Sequence, residues 1–243
     1  MMTRYECYYV MTHKQQKATS LSENRELTTR TEYVNKYSSV LQTTSYMFMG
    51  TKNTAEKCIG VVKAHHLYDK TATQHFCDFK MLKEREDLES WMKEKIVHCV
   101  RVDGAGDEGP SHKEVQFCWT MLHISEGTEC TFVSTRHRGG SYLNRVELQN
   151  GCLSRAQCNL FIPSSLCGSN FSENGVDETR LEQNLETATD VFSEPCGERE
   201  ITLVKGSRNE ASKRYNDNRA DLLKFLNGKA SEKQQLLNTK PEV

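Results

Sequence analysis

Nowhere in the 243 residues does an apolar run approach the roughly 20 residues that a bilayer-spanning helix needs. With 36% hydrophobic residues and a mean hydropathy of −0.69, the composition predicts neither a helical membrane protein nor a membrane partner. Nor does the amino terminus read as a secretory leader. Met1-Met2-Thr3-Arg4-Tyr5-Glu6 runs into a short aromatic stretch and then Lys14-Gln15-Gln16-Lys17, so an intracellular protein is expected. There is no CxxC pair among the ten cysteines, which are spread from Cys7 to Cys196. That spread argues against a disulfide framework and against a structural zinc site, whose ligands usually come as two close pairs. His65 and His66, adjacent on a predicted strand, would point to opposite faces and do not share a metal easily. The thiols read as reduced and mostly buried, packing as small hydrophobes. Charge is not in excess either. Lys and Arg number 32 against 33 Asp and Glu, a net charge of −1, so any case for nucleic acid rests on local charge.

What is present is enough chain for one large or two small domains, and one domain with extensions is the simplest count. Residues 1–38 form a polar leader with one aromatic burst at Tyr8-Tyr9, read as loosely ordered or as an added edge strand. Enrichment in β-branched and aromatic residues predicts strands at 40–49, 58–67, 74–82 and 96–102, the middle two joined as a hairpin across Tyr68-Asp69-Lys70-Thr71. Leu88, Trp91 and Met92 make residues 83–95 an amphipathic helix. Ser111 followed by Glu114 is a capping-box pattern for a helix reaching Glu126 and burying Val115, Trp119, Leu122 and His123. A strand at 131–135 and a helix at 141–160 follow. The alternation predicts an α/β fold, a mixed sheet with helices packed on it. After Ile162-Pro163 comes a loop of small residues, then a helix opened by Asp177 or Glu178 with Leu181, Leu185, Ala188 and Phe192 on one face. A short strand at 201–205 and a helix from 211 to 228 complete an α-rich extension over 164–243. Its last part, 205–243, carries nine Lys and Arg against five Asp and Glu, read as a solvated basic helix or a nucleic-acid contact.

Two stretches carry chemistry. Asp103-Gly104-Ala105-Gly106-Asp107-Glu108-Gly109-Pro110 sets three acids in a glycine-rich turn directly after the strand at 96–102. Loops at the carboxyl ends of strands are where open α/β sheets hold ligands, and carboxylates from different elements suit Mg²⁺. The other reading has these acids cap the next helix and favour its dipole. On the predicted helix 141–160, Leu143, Val146, Leu153 and Leu160 form an apolar stripe beside Gly140, Asn144, Glu147, Gly151 and Ser154. Glu147 is the only acid between Cys130 and Cys158, among Arg136, Arg138, Arg145 and Arg155. One acid ringed by arginines suits a metal beside a phosphate backbone; a helix surface paired with the acidic turn is the alternative. The candidate metal ligands are Asp103 and Glu147, with Asp107 as the rival for Asp103.

Val102-Asp103-Gly104-Ala105-Gly106-Asp107-Glu108-Gly109-Pro110-Ser111-His112, Ser134-Thr135-Arg136 and Ser141-Tyr142-Leu143-Asn144-Arg145-Val146-Glu147 resemble the second and third acidic motifs of RNase H-like transposases and integrases, and look closest to transposon-derived proteins. The resemblance implies an RNase H-like mixed sheet over 39–163, DNA as partner, Mg²⁺ or Mn²⁺ as cofactor, a nuclear location, and DNA phosphodiester cleavage and strand transfer. It makes Asp103 and Glu147 catalytic and Arg136, Arg138, Asn144, Arg145 and Arg155 nucleic-acid-binding. Their interval, 147 − 103 = 44 positions, is compatible with that family. The family's first acid should lie inside the first strand, yet the predicted strand at 40–49 holds none, and neither Asp69 nor Asp78 occupies the expected place. Either the true first strand was lost with an amino-terminal portion or the protein has decayed from its ancestor. The expectation is therefore an incomplete, inactive relative, the alternative a non-catalytic DNA- or protein-binding module derived from a transposon.

Overall fold

A computed structural model of the chain describes residues 6–12, 41–50, 55–93, 95–135, 145–156, 162, 165–194 and 201–239. The predicted strands at 40–49, 58–67 and 96–102 appear as β2 (Leu41–Met49), β3 (Ala55–Ala64) and β4 (Val97–Val102). The segment read as a strand at 74–82 is instead α1 (Ala72–Lys83). Thr71 caps it by accepting the Gln74 N–H at 3.1 Å, and Lys80 and Lys83 favour the dipole at its last turn. Residues Ala72 to Phe79 are all buried, polar ones included, so no exposed face marks the helical period. The predicted hairpin through Tyr68 to Thr71 is accordingly absent. His65 and His66 lie in the exposed turn after β3 rather than on a strand. The hairpin is β2 with β3, antiparallel from Leu41↔Ala64 to Met49↔Ala55.

The amino-terminal segment expected to be loose or an edge strand contributes β1 (Glu6–Thr12), an interior strand. With β5 (Cys130–Thr135) and β8 (Ile201–Lys205), the sheet runs β5-β4-β1-β2-β3-β8. β1 pairs in parallel with β4, β4 with β5 and β3 with β8, while β2 is antiparallel to both β1 and β3. Five of the six strands thus point one way and bring their following loops to one edge. The sheet therefore draws strands from each side of residues 39–163.

Helices cover both faces, giving a mixed α/β architecture. Tyr46, Phe48, Ile59, Val61, Val100 and Val102 point to one face, against Phe76, Phe79 and Leu82 of α1, Leu88 and Met92 of α2 (Glu86–Met92), and Val115 and Leu122 of α3 (Lys113–Glu126). Alternate residues serve the other face. There Met47 and Met49 meet Val146 of α4 (Val146–Ala156), and Leu41, Val62 and Ala64 meet Leu181, Leu185 and Phe192 of α5 (Glu178–Ser193). Asp177 caps α5 by accepting the Arg180 N–H at 3.0 Å. A two-stranded hairpin, β6 (Phe171–Ser172) with β7 (Gly175–Val176), precedes α5.

Ser111 does not cap α3. The cap position is His112, without a side-chain bond. Glu114 turns inward instead, accepting from Thr73 Oγ1 at 2.9 Å and from Arg219 Nε and Nη2 at 2.7 and 2.8 Å. That fork ties α3 to the carboxyl-terminal helices. These are α6 (Glu210–Asp217), α7 (Arg219–Asn227) and α8 (Ala230–Thr239), so the single helix expected over 211–228 is broken at Asn218. Gly127 ends α3 at φ 61°, a left-handed position that glycine takes without strain. Among the described cysteine side chains, Cys77 and Cys118 are buried, Cys58, Cys99 and Cys130 half-buried, and Cys152 and Cys167 exposed. Among the described residues no helix is long and apolar enough to cross a membrane.

A buried ionic node fixes α1. Asp78, fully buried, accepts from Lys63 Nζ at 2.8 Å, from Gln74 Nε2 at 2.9 Å and from the Ser207 N–H at 2.9 Å. It joins α1 to β3 and to the chain leaving β8. Removing one partner leaves the other charge buried, so Asp78→Ala is expected to cost about 3–5 kcal/mol, with much of it recovered in Lys63→Met/Asp78→Leu. Urea denaturation at pH 7 measures this, and a loss below about 1 kcal/mol for Asp78→Ala would rule the node out as the anchor of α1.

His98 of β4 is buried at the opposite sheet edge, and burial, then Lys83, lower its pKa to about 4. The unfolded chain protonates this ring first. Its contribution is therefore complete above about pH 6.5 and is lost as pH falls toward 4, by up to about 3 kcal/mol. In His98→Gln the difference in unfolding free energy between pH 7 and pH 4.5 should shrink by a large part of that amount; an unchanged difference would assign the acid sensitivity to the carboxylates.

Candidate metal centre at the acidic turn

The sheet's connectivity selects the edge where a ligand belongs. From β1 the chain passes to β2 and β3 on one side, then returns to β4 on the other. The carboxyl ends of β1 and β4 therefore flank a topological switch point, the crevice where open α/β sheets bind ligands. Asp103 is the first residue after β4. α1 and α3 both begin at this edge, because each follows a strand that ends there.

The acids of the turn divide. Asp103 is half-buried; its Oδ1 accepts the Gly104 N–H at 2.7 Å, and its own N–H donates to Glu108 Oε2 at 3.3 Å. Asp107 and Glu108 turn inward to α1. His75 Nε2 lies 3.3 Å from Asp107 Oδ2 and 3.5 Å from Glu108 Oε1, and one donor atom from each of the three lies within 4.8 Å of the others. His75 and Glu108 are buried, and the Asp107 side chain is 9% exposed. Such a group can hold a metal ion. Burial and then Lys63 lower the His75 pKa against the opposing pull of Asp107 and Asp78. Burial raises the Asp107 pKa, but the His75 hydrogen bond and the charges of His75 and Lys70 outweigh it and hold the carboxyl below the usual range.

Of the ligands expected from the sequence, Asp107 belongs to this group. Asp103 touches it only through its backbone bond to Glu108. Glu147 lies on α4, which packs over β1 and β2: Gln149 Nε2 donates to the Ile59 carbonyl at 3.1 Å, and the Ser45 hydroxyl donates to Asn150 Oδ1 at 2.5 Å. The side chains of Glu147 and Arg155 lie outside the described residues, as do Arg136, Arg138 and Asn144; Arg145 is exposed immediately before α4. Asp78, one stand-in considered for the missing acid, is engaged in the Lys63 node, and Asp69 is exposed in the turn before α1. His75 and Glu108 were not singled out from the sequence. The signal that finds His75 is the helical reading of α1, which sets it one turn after the Thr71 cap and at the ligand edge.

Comparison of the chain with models of known protein families, with curated proteins and with solved structures returned no match.

Because Glu108 accepts from the Asp103 N–H, Glu108→Ala should increase hydrogen exchange at that amide and destabilise the fold by about 1–3 kcal/mol. Asp107→Ala should leave the amide protected. Equal exchange in the two variants would mean that the turn, not Glu108, protects Asp103.

Proposed function

We propose that this chain is an RNase H-like, transposase- or integrase-type DNA-binding protein, related to metal-dependent phosphodiester cleavage but without a complete set of catalytic acids. The observation that carries this reading is the position of Asp103. It is the first residue after the fourth strand, at the switch point between β1 and β4, with Glu147 on a helix reached only after the fifth strand. That chain order is the one the motif resemblance implies. The three antiparallel strands before β4 support the same reading.

The missing acid concerns β1. Its pairing ends with Val10↔Val102, so the next residues on the two strands are Met11 and Asp103. The one acid of β1, Glu6, pairs with His98, five residues back along β4 and about 16 Å from the Asp103 end at the rise of a strand. A two-ion centre, with ions about 4 Å apart, needs carboxylates around both, and this donor set does not fit one. Asp103 and Glu147 offer oxygen ligands for a single Mg²⁺, which would keep several of its waters. The same absence favours the second reading, a DNA- or protein-binding module that does not cut. DNA affinity then rests on Arg136, Arg138, Arg145 and Arg155, with Asn144 beside them.

Calorimetric titration with Mg²⁺ tests the carboxylate pair. Binding is expected in the wild type and not in Asp103→Ala or Glu147→Gln, with no nicking of supercoiled DNA by any of the three. Affinity for duplex DNA should fall steeply with salt, and Arg136→Ala/Arg138→Ala should flatten the slope by about two contacts. Absence of Mg²⁺ binding together with absence of salt-dependent DNA binding would overturn the proposal.

A further inference from the structure

The inward half of the acidic turn has a chemistry separate from that of Asp103 and Glu147. Two carboxylates and one imidazole converge where little water reaches them, with Lys63 across the node and the exposed Lys70 Nζ 4.0 Å from Asp107 Oδ2. Beside them is a cavity of about 30 Å³, lined by Tyr46, His75, Asp107 and Glu108 on its polar side and by Phe76, Phe79, Val102 and Trp119 among its apolar walls. It is large enough for about one water-sized group. Tyr46 is 1% exposed, and its hydroxyl has no hydrogen-bond partner among the described residues; the same holds for His75 Nδ1. A buried phenol normally finds a partner.

We propose that His75, Asp107 and Glu108 bind one divalent transition-metal ion, of the Zn²⁺ or Co²⁺ kind, whose remaining position opens on the cavity beside the Tyr46 hydroxyl. One nitrogen and two carboxylate donors suit these ions, whereas Mg²⁺ prefers oxygen alone. Three protein ligands leave room for a water in the fourth position, and that water supplies the partner the phenol lacks. The ion offsets two buried carboxylates that the lysines around them only partly balance. Its ligands join α1 to the turn, and Glu108 reaches the Asp103 N–H with its other oxygen. The ion is thus an anchor for the turn that carries Asp103, set inside the fold rather than on its surface. This inference does not depend on the proposed function.

The test is a Co²⁺ titration of the full chain followed by visible absorption, with thermal unfolding in Zn²⁺ and in a chelator as a second reading. The wild type should develop a ligand-field band and melt at a higher temperature with Zn²⁺. His75→Gln and Asp107→Asn, each checked for folding by near-ultraviolet dichroism, should weaken binding by about tenfold or more. Asp103→Asn/Glu147→Gln should keep the band. No Co²⁺ or Zn²⁺ binding by the folded wild type, or binding untouched by both His75→Gln and Asp107→Asn, would overturn the site. A band lost in Asp103→Asn/Glu147→Gln but kept in His75→Gln would also overturn it, while supporting the carboxylate pair of the proposed function.

Discussion

A single buried carboxylate, Asp78, sets the rotation of α1, and much of the molecule's chemistry follows from that rotation. Its bonds to Lys63, Gln74 and Ser207 engage one side of the helix with β3 and with the chain leaving β8. Phe76 and Phe79 then face the core under Tyr46 and Trp119. His75, one residue before Phe76 and three before Asp78, meets the acidic turn. A buried ion pair contributes little net stability compared with an apolar pair of the same size. Its consequence here is orientation: turning α1 to expose Asp78 would strand Lys63 and withdraw His75 from Asp107 at once.

Strand direction supplies the second constraint. Because β2 alone runs against the others, the segments that follow β1, β3, β4, β5 and β8 all leave from one edge. That edge gathers the acidic turn, the start of α1 and the Gly206-Ser207 link that donates to Asp78. Parallel pairing needs crossovers, and α1 and α3 are the crossovers that return the chain for β4 and β5. Both helices therefore begin at the ligand edge, where one contributes His75 and the other is preceded by the turn.

Enrichment in β-branched and aromatic residues made β2, β3 and β4 legible in the sequence, short apolar stretches did so for β5 and β8, and the helical spacing of Leu181 and Leu185 did the same for α5. α1 was not legible, because Thr73, Gln74 and Asp78 are polar yet buried with partners. Without a wet face the aromatic residues between them imitate a strand. β1 was misread for a different reason. Its position depends on pairing with β4 across some ninety residues, a nonlocal contact that no local pattern in a polar segment reveals. At the site, Asp103 and Asp107 could be picked out because they crowd one turn. His75 could not, since it meets Asp107 across 32 positions and sat inside a segment with the wrong period. Glu114 shows the limit of local motifs. Its spacing from Ser111 suggested a cap, but Arg219 and Thr73 offered a buried carboxylate more than a helix N–H could.

The two halves of the acidic turn bear on why a chain without an acid beside Asp103 on β1 can keep Asp103 in place. In a centre where catalytic ions hold three carboxylates together, losing one carboxylate removes part of what orders the other two. Here the order comes from inside. Glu108 holds the Asp103 N–H, Asp107 and Glu108 are held against His75, and His75 is held by the rotation of α1. None of these contacts involves β1 or α4. The geometry of the turn is therefore independent of any ion at Asp103, and the lack of an acid beside it on β1 leaves the support of Asp103 intact.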